Sequence, residues 1–222
     1  MAAPESKNIH NLNGKWQMNK SLSGNFEAVL TLQGVGFLLR KTIGAATITL
    51  HTHQFKAPPT EPAQDPIDEA GKAEKVTHIV ISQTMTGGIK GTTERRCLDN
   101  RRREHTDWLF GHVSGRSLLY TGPGAAAALS KDFADPFLVE GWSDDQDLIV
   151  SNVLNLDKDR GWEATQVWGF QTAKDGTRRY VRNVVVTKGE GSKQQRVTLQ
   201  LIYDYLGERD DAGEDEDADL SY

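Results

Sequence analysis

An early change of hydrophobic period restricts the fold of this chain more than any other feature. Residues 14–18, Gly-Lys-Trp-Gln-Met, alternate apolar and polar side chains as a half-buried strand does. Residues 26–43 then carry apolar side chains at helical spacing, interrupted at Gly34. Over 45–55 the period returns to two, with Ile48 and Leu50 on one face and Thr47, Thr49, His51 and His53 on the other. A strand therefore feeds two short helices, and the chain returns to strand. Ser23 or Asn25 can cap the first helix, and Glu27 sits where the helix dipole favours a carboxylate. Phe26, Val29 and Leu30 form one apolar stripe, Phe37 and Leu38 another. Helices of about two turns are unstable alone in water, so both must rest on something larger, as a lid.

The remainder reads as strands punctuated by turns. Period-two or apolar runs occupy 76–82, 83–97, 101–114, 137–142, 148–154, 162–172, 177–188 and 195–205, with a break at Gly87-Gly88. Turn residues at Asp99-Asn100, 143–145, 157–161 and 189–192 recur too closely for parallel crossovers, which favours antiparallel hairpins. Residues 57–73 hold four prolines and several acids, the composition of a long loop. Residues 121–135 combine Gly-Pro-Gly with alanines and read as a loop with one helical turn. The expected organisation is a loose N-terminus at 1–11, one all-β domain at 12–207 with insertions near 57–75 and 121–135, and a disordered acidic tail at 208–222. Helices are expected only near 24–33 and 35–43.

Several of these residues carry a resemblance. Gly14, Trp16 and Met18, then Asn25-Phe26-Glu27, then Gly-Val-Gly-Phe-Leu-Leu-Arg-Lys at 34–41, resemble the opening of the intracellular lipid-binding proteins, the fatty-acid-binding and retinoid-binding branch of the calycins. The likeness is strongest over 14–44 and weaker over 77–94 and in the last strands. The interval from Trp16 to Asn25 is longer than in that family by two residues. The resemblance implies an up-and-down antiparallel β-barrel of ten strands capped by a helix-turn-helix lid. It also implies a hydrophobic or amphipathic small molecule as ligand, and transient membrane contact through the lid.

Charge and composition exclude other classes. The net charge of −5 and the absence of a basic block argue against nucleic acid, and much of the negative charge lies in the tail. No run approaches the ~18 apolar residues of a membrane span, and the first residues lack the apolar core of a secretory signal. One cysteine, Cys97, forms no internal disulfide, so a reducing, cytoplasmic setting is expected. No cofactor is implied.

The candidate site follows from strand faces. In 197–205 the odd residues Val197, Leu199, Leu201, Tyr203 and Tyr205 should point inward. The resemblance implies an inward arginine two residues before an inward tyrosine, together holding a ligand carboxylate; Tyr203 matches, but the arginine position is Leu201. Arg178 or Arg182, on one face with Tyr180, can replace that arginine, or both can lie on the solvent face. Candidate ligand-binding residues are Phe26, Leu30, Phe37, Met85, Trp108, Trp168, Arg182, Leu201 and Tyr203. Trp16 is better read as core at the barrel floor. His105 and Asp107 share a strand face, where a carboxylate can orient an imidazole as a general base, and they are the candidate catalytic pair. His51 and His53 have the spacing of metal ligands, but an ordinary polar face is preferred and no metal site is assigned. Cys97 reads as a small buried hydrophobe. Two functions remain: an intracellular carrier of an apolar ligand, the preferred reading, or a cavity enzyme that cyclises or isomerises an apolar intermediate.

Overall fold

The computed structural model describes residues 1–60, 67–68, 71, 74–87, 89 and 91–209. Most of the 57–75 insertion and all but the first two residues of the acidic tail lie outside these. Ten strands run in antiparallel sequence: β1 Gly14–Met18, β2 Ile48–Ala57, β3 Val76–Met85, β4 Thr93–Cys97, β5 Arg103–Asp107, β6 Gly111–Tyr120, β7 Leu148–Asn155, β8 Trp162–Thr172, β9 Arg178–Lys188 and β10 Gln195–Gly207. Helices α1 Glu27–Leu32 and α2 Phe37–Ala45 separate β1 from β2, while α3 Ala125–Asp132 and α4 Pro136–Val139 separate β6 from β7. The strand order is β4-β3-β2-β1-β10-β9-β8-β7-β6-β5. It is an up-and-down meander in which the last strand returns beside the first, with Trp16 opposite Tyr205 and Met18 opposite Tyr203. The sheet curls until its two edge strands, β4 and β5, flank one interior, and this is the capped barrel that the resemblance implied.

The interior is closed at one end by aromatic packing. Trp16 is fully buried and donates its indole N–H to the Leu12 carbonyl at 2.8 Å. Its ring meets Phe170, Tyr180 and Tyr205 at centroid distances of 6.1, 5.4 and 4.9 Å. The N-terminal residues, expected to be loose, are part of this floor. Ala3, Ile9 and Leu12 are buried, Ala3 N–H donates to the Arg178 carbonyl, and Arg178 donates to the carbonyls of Pro4 and Lys7. Their few apolar residues suffice because the barrel end offers a ready apolar surface and open strand-end carbonyls.

The other end carries the lid. The Asn25 side chain accepts from Glu27 N–H at 2.9 Å, whereas the Ser23 hydroxyl accepts from Ile202 N–H and so ties the lid's entry to β10. Val29, Leu30 and Ile43 turn inward and are buried. Phe37 and Leu38 do not: they are 64% and 78% exposed, and the Phe37 ring lies beneath the cationic groups of Arg40 and Lys41. The expected second stripe is thus on the outer face of α2, because Ile43 rather than Phe37 sets which side packs.

Three further expectations are corrected. The run 101–114 is two strands, not one: the Asp107 carboxylate accepts from the amides of Leu109 and Phe110 and builds a turn there, which Gly111 completes at φ 79°. Residues 137–142, expected as a strand, open with helix α4, capped by Asp135 with Pro136 in its first turn. Helices therefore also occur outside the lid. Together α3, α4 and Trp142 cover the outer face of β7–β10, where Leu129, Leu138, Leu148, Val150, Val167, Val181, Val185 and Ile202 form a second core. Coverage explains why β7 and β9 are buried almost throughout their length: both faces are dry. Gly169 lets Trp142 approach, since a Cβ there would meet the indole at 2.7 Å and Leu148 at 2.8 Å.

Two measurements check this packing. Gly169→Ala should destabilise the protein by ~1–3 kcal/mol in urea unfolding, as overpacking does; a neutral result would show that α4 and Trp142 do not press on β8. Phe37→Ala should change stability by less than ~0.5 kcal/mol, the range of exposed positions, instead of the ~3–5 kcal/mol of a buried ring.

Candidate functional site

Between the aromatic floor and the lid lies a cavity of about 200 Å³. Met18, Phe26, Leu30, Ile43, Ile48, Met85, Leu109, Val184 and Leu201 give it an apolar wall, and Glu94, His105, Asp107, Arg182 and Tyr203 give it a polar side. The strand alternation places these groups: Arg182 and Val184 fall inward on β9, Leu201 and Tyr203 on β10, His105 and Asp107 on β5.

Arg182 dominates the polar side. Its side chain is almost fully buried, its guanidinium stacks 4.0 Å above the Trp168 ring, and its Nε donates to the Tyr180 hydroxyl at 2.9 Å. Nη1 donates to both Glu94 oxygens at 3.4 and 3.3 Å. Nη2 is buried with no hydrogen-bond partner among the described residues. Burial opposes the Arg182 charge, but Tyr180 and Glu94 outweigh it and hold the pKa above the ordinary arginine value. Burial likewise pushes the Glu94 carboxyl up, but Arg182 and Arg96 bring it below the ordinary range. Gln83 donates to Glu94 at 2.8 Å and Arg96 at 3.2 Å. The pair is therefore ionised and nearly neutral in sum, and it leaves Nη2 of this cavity-lining side chain without a hydrogen-bond partner among the described residues. Burial, partly offset by Arg182, raises Tyr203 to about 12, so its phenol is a donor at neutral pH.

His105 and Asp107 line the cavity together, as their shared face implied. Burial, reinforced by Arg96, lowers the His105 pKa, so the imidazole is neutral and can accept a proton. Asp107 spends an oxygen on the turn amides and acts on His105 through space rather than through a hydrogen bond.

Of the expected ligand-binding residues, Phe26, Leu30, Met85, Arg182, Leu201 and Tyr203 line the cavity. Trp168 is fully buried and supports Arg182 from behind. Two lie elsewhere: Phe37 on the outer lid face, and Trp108 in the β5–β6 turn, 45% exposed and donating to the Gly91 carbonyl. Arg178 is bound to the N-terminal segment, which leaves Arg182 as the one of these two that lines the cavity. Glu94 and Gln83 escaped the sequence reading because the carboxylate's partner stands across the barrel, although Glu94, an acid on a short strand, was visible. No group of three or more metal-ligating side chains forms among the described residues. His78 contacts Cys97 at 4.0 Å, and burial raises the Cys97 thiol to about 11, so it is a protonated core group.

No family model matches the chain. A pericyclase, pydY of Acremonium sp, is 29% identical over 210 residues, covering 94% of this chain and 99% of that protein. A probable pericyclase, scpY of Mollisia scopiformis, is 29% identical over 206 residues, covering 93% and 95%. Similar solved structures include the REP1-NXSQ fatty acid transporter, with a TM-score of 0.46 at 16% identity over 89% of this chain and 98% of the other. Another is the wild-type fluorescent protein UnaG, with a TM-score of 0.45 at 13% identity over 88% and 97%.

Removing one member of the buried pair tests its role in the fold. Glu94→Ala should cost about 3–5 kcal/mol, because it strands the Arg182 charge. The folded-state pKa of Glu94 lies below its unfolded value, so its contribution is present above the ordinary carboxylate range and is lost as pH falls through the folded pKa. The difference between wild type and variant should therefore shrink in acid, as read by urea unfolding across pH.

Proposed function

We propose that the chain is a cavity enzyme that folds an extended, largely apolar intermediate and promotes its cyclisation by a pericyclic route. The observation that carries this reading is the buried Arg182–Glu94 pair, whose arginine lines a cavity with an apolar wall and keeps Nη2 unpartnered among the described residues. The two relatives named as pericyclases, similar over almost their whole length, support it. A pericyclic reaction moves electrons around a ring and requires no proton transfer, so the protein must hold two reacting ends together and polarise one of them. The wall of Phe26, Leu30, Met85 and Leu201 restricts the chain to folded conformers, and such positioning can supply up to roughly 7–11 kcal/mol when the ends are well aligned. The Arg182 Nη2–H donates to a carbonyl conjugated with the reacting π-system, and a fixed donor in a dry site needs no reorganisation as charge shifts. Glu94 and Tyr180 keep the guanidinium in place. His105, neutral and facing the cavity, is the candidate base for a proton shift before or after ring closure.

A carrier would use the same cavity, but its carboxylate clamp is incomplete here: Leu201 replaces the arginine, and Arg182 is already neutralised by Glu94. The enzyme reading is therefore preferred. The test is turnover of a linear polyene that carries a conjugated carbonyl, followed by chromatography with and without protein. Cyclised product should form faster with protein, and the double variant Glu94→Leu with Arg182→Met should lose about 10- to 100-fold in rate, the worth of one charge-assisted hydrogen bond. Changing both partners avoids a stranded charge. Ligand bound tightly but recovered unchanged, from a panel of such polyenes, would sink the enzyme reading in favour of the carrier.

A further inference from the structure

The cavity side of α1 ends on a polar residue. Phe26, Val29, Leu30 and Gln33 follow one another at helical spacing, and all four line the main cavity. Gln33 is only 6% exposed. Its backbone is held by the glycine-terminated helix end: Val35 N–H donates to the Leu30 carbonyl at 2.9 Å, and Gly34, at φ 80°, donates to the Thr31 carbonyl at 3.0 Å. A Cβ at Gly34 would lie 3.6 Å from Arg160 Cγ, and the Arg160 guanidinium donates to the Leu109 carbonyl at 3.1 Å. The end of α1 is thus seated on the turns at the lid end of the barrel.

Three glutamines line the cavity, and two are held by neighbours. Gln83 donates to Glu94 at 2.8 Å, and Gln166 accepts from the Trp168 indole at 3.0 Å. The Gln33 side chain makes no hydrogen bond with a described residue, and neither of its amide atoms is sealed in the packing as Arg182 Nη2 is. An amide taken out of bulk water without a partner costs free energy that a leucine at the same place would not. A polar group in the cavity would offset that cost. Gln33 and Arg182 lie at different depths. After Arg182 the inward residues of β9 are Val184 and Val186, and the strand ends at Lys188, which borders one surface recess with Leu32 of α1. The stretch of wall from Arg182 to Val186 is roughly 13 Å at ~3.3 Å per residue.

We propose that Gln33 is a specificity-determining residue, which binds a neutral oxygen function, a hydroxyl or a carbonyl, at the end of the ligand remote from Arg182. An amide both donates and accepts, so it serves either group. The ligand class is then a chain with oxygen at both ends and an apolar middle, rather than one polar head on a hydrocarbon tail. This deepens the reading of the cavity given above and rests on its placing of a carbonyl at Arg182.

The test uses the methyl ester of cis-parinaric acid as a fluorescent probe bound to the full chain, displaced by methyl 10-hydroxydecanoate or by methyl decanoate, which lacks the terminal hydroxyl. Wild type should bind the hydroxy ester at least as tightly as the plain ester, although its hydroxyl gives up water. Gln33→Met, which keeps the length of the side chain and removes its amide, should weaken the hydroxy ester about 3- to 10-fold, the worth of one neutral hydrogen bond, and leave the plain ester unchanged. Gln33→Leu should do the same, and urea unfolding should show no loss of stability in either variant, because no bond within the protein is removed. Equal weakening of both esters, with or without a loss of stability, would make Gln33 a packing residue and overturn the proposal. So would hydroxy ester affinity that both variants leave unchanged, or that falls below the plain ester's in wild type. Failure of the probe to bind, or of both esters to displace it, would remove the cavity reading and this inference with it, whereas displacement that does not depend on Gln33 removes this inference alone. Absence of cyclisation with the Gln33-dependent preference intact would remove the enzyme reading and leave the role of Gln33 standing.

Discussion

A guanidinium inside a barrel has to be compensated, and much of this interior is arranged around that need. Arg182 on β9 reaches Glu94 on β4, two strands separated in the sheet order by β3, β2, β1 and β10, so their contact crosses the barrel. Beneath it, Trp168 offers a ring face, Tyr180 accepts through its hydroxyl oxygen, and Tyr203 presents its ring, stacked on that of Tyr180 with centroids 5.3 Å apart. Each of these groups answers part of the desolvation cost of one charge. The pair also fixes the chemical character of the cavity: a charged donor held next to its counter-charge favours a polarisable neutral group over a bare anion.

The barrel is asymmetric on its outside as well. β7 and β9 are buried on both faces because the α3–α4 insertion covers their outer side, whereas β2 shows the alternation of a sheet with one wet face. That covering gives the back wall, which carries Arg182, a rigid backing, while the lid opposite rests on Val29, Leu30 and Ile43 and on the Ser23 link to β10.

The succession of strands was legible because local pattern fixes it: the run 162–172 coincides with β8, and the change from period two to helical spacing located the lid. Leu201 and Tyr203 could be placed on the cavity side, and His105 and Asp107 on one shared face, by strand alternation, while Phe26 and Leu30 followed from helical spacing. Local pattern failed where a residue's partner is distant. Phe37 fits a helical stripe as well as Ile43 does, and only packing on the barrel decides which side turns inward. Residues 137–142 have the apolar content of a strand, yet Asp135 and Pro136 start a helix there, and Trp142 settles against Gly169 on another element. The N-terminal residues are polar in composition but meet the barrel floor.

By itself, then, the sequence determined the antiparallel hairpins, from closely recurring turns, and the two lid helices and the shared faces of the strands, from the spacing of apolar side chains within a few residues; the closed ten-stranded barrel was what the resemblance implied. Tertiary structure alone decided that Arg182 rather than Arg178 lines the cavity, that Glu94 meets it, and that α3 and α4 give the sheet a second dry face. Those outcomes depend on contacts between strands far apart in the chain, and curvature of the sheet, rather than any local spacing, brings them within reach.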